Sequence, residues 1–206
     1  MMRIITISRE FGSGGRELGK RLADILGYDY YDSEILTAVA TKMGLGGQAS
    51  DSILRDHGWQ NVPITFRGTM SSAAYIASFK TELLLRQNDV IREIASYGKD
   101  FVIVGRNADV ILKEYSPLNI FVFASEGTKI ARCLDRAGEN EKMTERDLVR
   151  KLKEIDRSRA KSRELVSETE WGNRESYHLS VSTDGWQIKD LAISLASFAD
   201  SWFSKV

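Results

Sequence analysis

The chain has 206 residues, 42% of them apolar and 28% charged, with 29 Lys and Arg against 29 Asp and Glu. That apolar share sustains a packed core and excludes a disordered chain, and the length suits one domain with a modest insert. A balance of 29 − 29 = 0 argues against a nucleic-acid polymer as partner, because phosphate contacts require a basic excess. It leaves room for a basic pocket around one phosphorylated small molecule.

Ile4 to Ile7 is a β-branched run and predicts the first strand. The glycine-rich turn Gly12-Ser13-Gly14-Gly15 follows, then a helix over 16–26 with Leu18, Leu22, Ile25 and Leu26 on one stripe and Gly27 as its stop. Tyr28 to Tyr31 reads as a short strand and 34–43 as helical. From Gly44 to about Phe79 the apolar period is poor and glycines punctuate it, which suggests a partly helical insert. Residues 80–97 read as a firmer helix. Phe101 to Val104 and Ile120 to Ala124 are continuous apolar runs of the kind buried parallel strands show. Helices are expected over 126–137 and 144–166, a strand over 177–182, and a last helix carrying Ile188, Leu191, Ala192, Leu195, Ala199, Trp202 and Phe203 at helical spacing. Strands alternating with helices predict an α/β layer architecture with a mostly parallel sheet.

Strand, glycine turn, helix is a phosphate-binding arrangement, since backbone N–H groups curl around the anion and the helix N-terminus adds its dipole. Against the pattern G-x-x-x-x-G-K-[ST], Arg9 falls at the first Gly, Gly14 at the second, Gly15 at the Lys and Arg16 at the hydroxyl residue. A tight turn without a ligand is the plainer alternative. A dinucleotide fold competes as well, because Gly12-x-Gly14 is followed by Asp32 about 20 residues on. Glu17, however, occupies the third Gly position of that fingerprint, and no Tyr-x-x-x-Lys pair supports an oxidoreductase.

Ile5-Thr6-Ile7-Ser8-Arg9-Glu10-Phe11-Gly12-Ser13-Gly14-Gly15-Arg16-Glu17 resembles the opening of the cytidylate kinase-like family of P-loop nucleoside monophosphate kinases. The resemblance continues through Tyr30 to Leu36, Val102 to Asp109, Ile120 to Ala124, Asp156 to Ala160, Trp171-Gly172-Asn173 and Ser176 to Leu179, in order and over nearly the whole chain. It implies a P-loop NTPase three-layer fold with a central parallel sheet. The core would be 1–33 and 81–206, with a helical nucleotide-binding insert at about 34–80 and a helical lid at about 144–170. It also implies an ATP-dependent phosphotransferase acting on CMP or dCMP, with Mg²⁺ accompanying ATP. Gly12, Ser13, Gly14, Gly15 and Arg16 match the ATP phosphate loop. Ser33 matches a serine that contacts CMP, Arg106 an acceptor-site arginine, and Asp156 and Arg159 lid residues that reach cytidine and phosphate.

Side-chain chemistry adds to this. Phosphoryl transfer asks for positioning and positive charge around anionic oxygens. Between Arg146 and Arg163 stand eight basic and three acidic residues, 8 − 3 = +5. Leu148, Leu152 and Ile155 make an inward stripe that Asp156, Arg159 and Arg163 continue, so Arg159 and Arg163 are candidates to close over the transferring phosphoryl group. A solvated helix with i,i+4 pairs such as Asp147–Lys151 is the alternative. Gln87 sits on the inward side of its helix, either as a satisfied core amide or as a ligand contact. Arg106 follows a buried strand and Gly105, at the strand end where open α/β sheets bind ligands. His57 and His178 lack metal-ligand spacing and read as structural. Cys133 and Trp202 read as packing residues, with Trp171 left open.

The chain departs from the family or from ordinary kinase chemistry in several places, although glycine for the P-loop lysine is usual in the cytidylate kinase-like group. Gly15 replaces the P-loop Lys and Arg16 the Mg²⁺-binding hydroxyl, although Arg16 could supply the lost charge. Asn107 stands where cytidylate kinases carry an acceptor-site Asp. Lys161, Ser162 and Arg163 follow Ala160 in place of an Asn and paired tyrosines, and His178 replaces a usual Asp. A non-catalytic nucleotide-binding module therefore stands as the second reading. One cysteine, no signal h-region and no apolar run of about 20 residues suggest a cytoplasmic protein without a membrane partner. A homodimer is left open.

Overall fold

In the computed structural model of the chain, which describes residues 2–32, 88–136 and 144–205, five strands form one sheet in the order β2–β3–β1–β4–β5. They are β1 (Ile4–Arg9), β2 (Asp29–Tyr31), β3 (Phe101–Val104), β4 (Leu118–Phe123) and β5 (Leu179–Ser182), and every pairing is parallel. Contacts divide the chain into two units, residues 1–32 with 98–206 and residues 33–97. In the second unit the described residues 88–96 are helical (α2), with Val90, Ile91, Ile94 and Ala95 as the buried stripe. The expected helix over 34–43, the weak stretch at 44–79 and residues Ser33 and Gln87 lie outside the described residues.

Within the first unit, strand alternation sorts the side chains onto two faces. Ile5 and Ile7 of β1, Val102 and Val104 of β3, and Leu118, Ile120 and Val122 of β4 share one core with two helices. These are α1 (Gly15–Leu26), through Leu18, Leu22 and Ala23, and the last helix α6 (Ile188–Phe203), through Leu191, Ala192, Leu195, Ala196 and Ala199. Helix α1 presses closely on the sheet at Gly19, where a Cβ would lie 2.6 Å from Val104 Cγ2. Gly27 ends that helix in the left-handed region with φ 70° and bonds back to the Ala23 carbonyl.

The opposite face is part polar. Asn119 and Phe121 alternate with the core residues of β4, and Thr6 Oγ1 donates to Asn119 Oδ1 at 2.7 Å. Phe121 packs edge-on against Trp171 at 5.3 Å and lies tilted against Tyr177 at 5.0 Å. The short helix α3 (Ala108–Ile111) belongs to this side through Asp109, which pairs with Arg163 at 2.5 Å, and Arg163 in turn lies over the Tyr177 ring. Helices α4 (Glu126–Arg136) and α5 (Glu145–Glu164) build a smaller cluster from Ile130, Leu148 and Leu152, with Phe11, Cys133 and Val149 packed on it. Thr144 caps α5 by accepting from the Asp147 N–H at 3.2 Å. Asp147 pairs with Arg150, one turn down.

Most elements fall where the periodicity places them, and two boundaries differ for a physical reason. Strand β4 starts at Leu118, two residues before the apolar run, because Asn119 is satisfied by Thr6. Strand β5 starts at Leu179, because the His178 side chain takes a ladder position: its Nδ1 accepts from the Asn119 N–H at 3.0 Å. Among the described residues no helix is long and apolar enough to cross a membrane.

Candidate active site

Strands β1 and β3 are neighbours, but the chain leaves them toward opposite faces, to α1 and to α3. A crevice at the carboxyl ends of such strands is where α/β sheets bind ligands. Two turns line it. After β1, Gly12 and Gly14 adopt φ of 77° and 83°, a region that side chains rarely enter. A Cβ on Gly12 would stand 3.1 Å from the Lys129 carbonyl oxygen, and one on Gly14 2.8 Å from Ile188 Cδ1. The turn is tied from outside. Buried Ser13 donates from Oγ to the Glu10 carbonyl at 2.8 Å, while its own carbonyl accepts from Arg132 Nη1 at 3.0 Å and Thr183 Oγ1 at 2.7 Å. Glu10 pairs with Lys129 at 2.9 Å. Helix α1 starts directly after Gly14, which has no side chain to cap its first amides, so the helix N-terminus keeps the character of an anion site.

After β3, three consecutive residues are left-handed: Gly105 (φ 80°), Arg106 (φ 61°) and Asn107 (φ 54°). Two of them carry side chains, and strain of this kind persists only where surrounding contacts hold it. Here Asn107 Nδ2 donates to the Ser162 carbonyl at 3.1 Å, which fixes the turn to α5.

Between the turns lies a cleft lined by Ser8, Arg9, Gly105 and Arg106 from the strand ends and by Asn107, Arg159, Ser162 and Trp171. Three arginines meet in it. Arg159 donates to Asp156 Oδ1 at 3.0 Å and to the Arg9 carbonyl at 2.8 Å, and it lies over the Phe11 ring. Asp156 also accepts the Phe11 N–H at 2.8 Å. Arg9 and Arg106 form no ion pair among the described residues, so the cleft carries two cations in excess of its one carboxylate partner. Desolvation, with repulsion from Arg159 and Arg106 next, pulls Arg9 down to about 9. Desolvation likewise lowers Arg159 against the opposing pull of Asp156, and it raises Asp156 despite the Phe11 N–H and Arg159.

The expected site residues therefore separate. The structure brings Arg106, Asp156 and Arg159 together beside the glycine turn of Gly12, Ser13, Gly14 and Gly15. Arg16, at the helix start, donates from Nε to the buried Asp32 at 2.7 Å. Arg163 is not brought into the cleft. It is buried, paired with Asp109 and bonded to the Thr169 carbonyl and hydroxyl at 3.0 and 2.7 Å, because the apolar stripe it continues runs into the second face of the sheet. Four cleft residues escaped the sequence reading: Ser8, Arg9, Ser162 and the lining role of Trp171. A signal existed for Arg9, an arginine where the loop pattern asks for glycine combined with a glycine where it asks for lysine.

Among the described residues no three His, Cys, Asp or Glu gather as a metal site. The carboxylates nearest the turn are committed, Glu10 to Lys129, Asp32 to Arg16 and Asp156 to Arg159.

The family model described as "Cytidylate kinase-like family" matches residues 4–185. Among solved structures, an uncharacterized protein from Eubacterium ventriosum ATCC 27560 shares 24% identity at TM-score 0.70, covering 97% of this chain and 99% of that one. Shikimate kinase from Bacteroides thetaiotaomicron shares 13% at TM-score 0.55 over 97% and 99% of the two chains. Shikimate kinase from Acinetobacter baumannii, in complex with shikimate, shares 16% at TM-score 0.52 over 98% and 94%. At these identities the likeness speaks for the fold, which is that of the P-loop kinases. No curated protein matches the chain.

Proposed function

Because the chain belongs to the cytidylate kinase-like family, we propose that it transfers the γ-phosphoryl group of ATP to a pyrimidine nucleoside monophosphate, CMP or dCMP, and releases ADP. The observation that carries this reading is the convergence of Arg9, Arg106 and Arg159 at the carboxyl ends of β1 and β3, beside the uncapped start of α1. Preorganised cations around a transferring phosphoryl group stabilise charge that spreads over its equatorial oxygens.

In this reading the turn Gly12 to Gly15 and the first amides of α1 hold the ATP phosphates, with Arg16 at their edge. Arg106 holds the acceptor phosphate, and Arg159, fixed by Asp156, covers the group in flight. Ser33 and Gln87 contribute from residues 33–97, with 34–80 as the nucleotide-binding insert and 144–170 as the lid. An oxygen of the acceptor monophosphate attacks the γ-phosphorus and the bond to the β-phosphate oxygen breaks. The position of the Mg²⁺-binding hydroxyl carries Arg16, so Mg²⁺ enters as the counter-ion of ATP, which is common for this cation. The lone Cys133 fits a reducing cytoplasmic setting.

The test is ADP release with a panel of nucleoside monophosphates. CMP and dCMP are expected to stimulate release above the rest, and Arg159→Ala to lower kcat about a hundredfold or more. ADP release that no acceptor stimulates would sink the reading. One contact favours a second reading, a nucleotide-binding module without turnover: Asp156 already occupies the Phe11 N–H of the loop. Calorimetric ATP binding without turnover, unchanged in Arg159→Ala, would select it.

A further inference from the structure

The loop has exchanged two residue types. Arg9 stands at the first position of G-x-x-x-x-G-K-[ST], where a glycine belongs, and Gly15 at the seventh, where the lysine belongs. The two positions touch. A Cβ on Gly15 would lie 2.6 Å from Arg9 Cβ and 3.0 Å from Arg9 Cγ, so the arginine stem fills the space a side chain at 15 needs. The guanidinium then reaches across to the end of β3, where a Cβ on Gly105 would collide with Arg9 Nη1. Two glycines thus form the seat of one arginine. Its side chain has no hydrogen-bond or ion-pair partner among the described residues; Arg106 and Arg159 share the cleft with it, and Asp32 acts on it with the opposite sign.

We propose that Arg9 is the phosphate-binding cation of this loop, carrying from its first position the charge that other P-loops carry at the seventh, with a nucleotide phosphoryl group as its ligand. Resting on the phosphotransferase reading, this names the group that replaces the missing lysine. A guanidinium without a partner among the described residues suits the task, because its planar fork donates to two phosphate oxygens at once. Its depressed pKa is a consequence of the same geometry: burial comes first, repulsion from Arg159 and Arg106 next, against the opposing pull of Asp32, and an incoming phosphate supplies counter-charge.

The exchange defines the experiment. ATP binding is measured by calorimetry on the wild type, Arg9→Gln and the double variant Arg9→Gly with Gly15→Lys, which restores the ordinary pattern. Arg9→Gln is expected to weaken binding about tenfold or more, the worth of one charged hydrogen-bonding group. The double variant is expected to return to within about threefold of the wild type, because a lysine at 15 gains the space the arginine stem vacates. An Arg9→Gln protein that melts like the wild type and binds ATP equally well overturns the proposal. If Arg9→Gln does not fold, the double variant decides: a folded double variant that binds ATP supports the exchange, and one that does not overturns it. These are binding readouts, so they stand apart from turnover. A wild type that binds ATP through Arg9 and phosphorylates no monophosphate would defeat the proposed reaction and leave the role of Arg9 in place.

Discussion

Arg163 shows how a residue can share a helix face with a functional one and serve a different end. Four positions after Arg159, its guanidinium is buried against Asp109, Thr169 and the Tyr177 ring. Removing one member of a buried pair strands the other charge, so Arg163→Met is expected to cost about 3–5 kcal/mol, measured by urea unfolding. Replacing both partners, as Arg163→Met with Asp109→Leu, is expected to recover most of that loss, since an apolar pair does not need the compensation. His178 carries a second prediction. Its Nδ1 accepts the Asn119 N–H and its ring lies tilted against Trp202 at 4.7 Å, and desolvation lowers its pKa below the ordinary 6.5. The unfolded chain then binds more protons at pH just below 6.5, so stability is full above that value and falls as the pH drops through the window beneath it. Melting temperatures at pH 7 and pH 5 are expected to differ less in His178→Gln than in the wild type, because that variant keeps an acceptor that does not titrate.

At the scale of elements, α5 is fastened to the glycine turn by two adjacent bonds, Phe11 N–H to Asp156 and Arg159 to the Arg9 carbonyl. Asp156→Ala removes the first and loosens the second. Hydrogen exchange at the Phe11 amide is expected to quicken markedly, while amides of α1, packed against the sheet and α6, keep their protection. Equal exchange in both proteins would mean that the strap is not what holds the turn. Strand β3 was plain in the sequence because four apolar residues in a row have only one comfortable home, a strand buried on both faces. The start of β4 was not, since Asn119 looks like a loop residue until Thr6, 113 positions earlier, is seen bonded to it. Helix α3 has four residues, too few for any periodicity to register.

Over the whole molecule the charges cancel, 29 against 29, yet the cleft gathers three arginines around a single paired carboxylate. A neutral total means little long-range self-repulsion, so added salt has little to relieve in the folded state. Anion binding in the cleft is another matter, because the Debye length shrinks from about 10 Å at 0.1 M to about 3 Å at 1 M. Raising the salt across that range is expected to weaken ATP binding severalfold with a nearly constant melting temperature, read by calorimetry and thermal scans on the same samples. The layer order, the parallel sheet and the membership of Arg106, Asp156 and Arg159 in one site could be foreseen from motif blocks in order along the chain. The destination of Arg163 and the seat of Arg9 could not. Arg163 depends on Asp109, 54 positions away, and the seat of Arg9 needs Gly105, 96 positions away, beside the nearby Gly15, so the fold alone completes each.

That seat also constrains how such a loop can change over generations. A lysine at 15 collides with the stem of Arg9, and a glycine at 9 removes the cation with nothing to succeed it. Each single step is worse than either end state, which is sign epistasis between two positions six apart in the chain. Gly105 extends the coupling to a third site, because any side chain there would evict the guanidinium. Two loop chemistries on one fold are thereby separated by a valley that is crossed only by paired changes, and a library built from single substitutions would report all three positions as immutable.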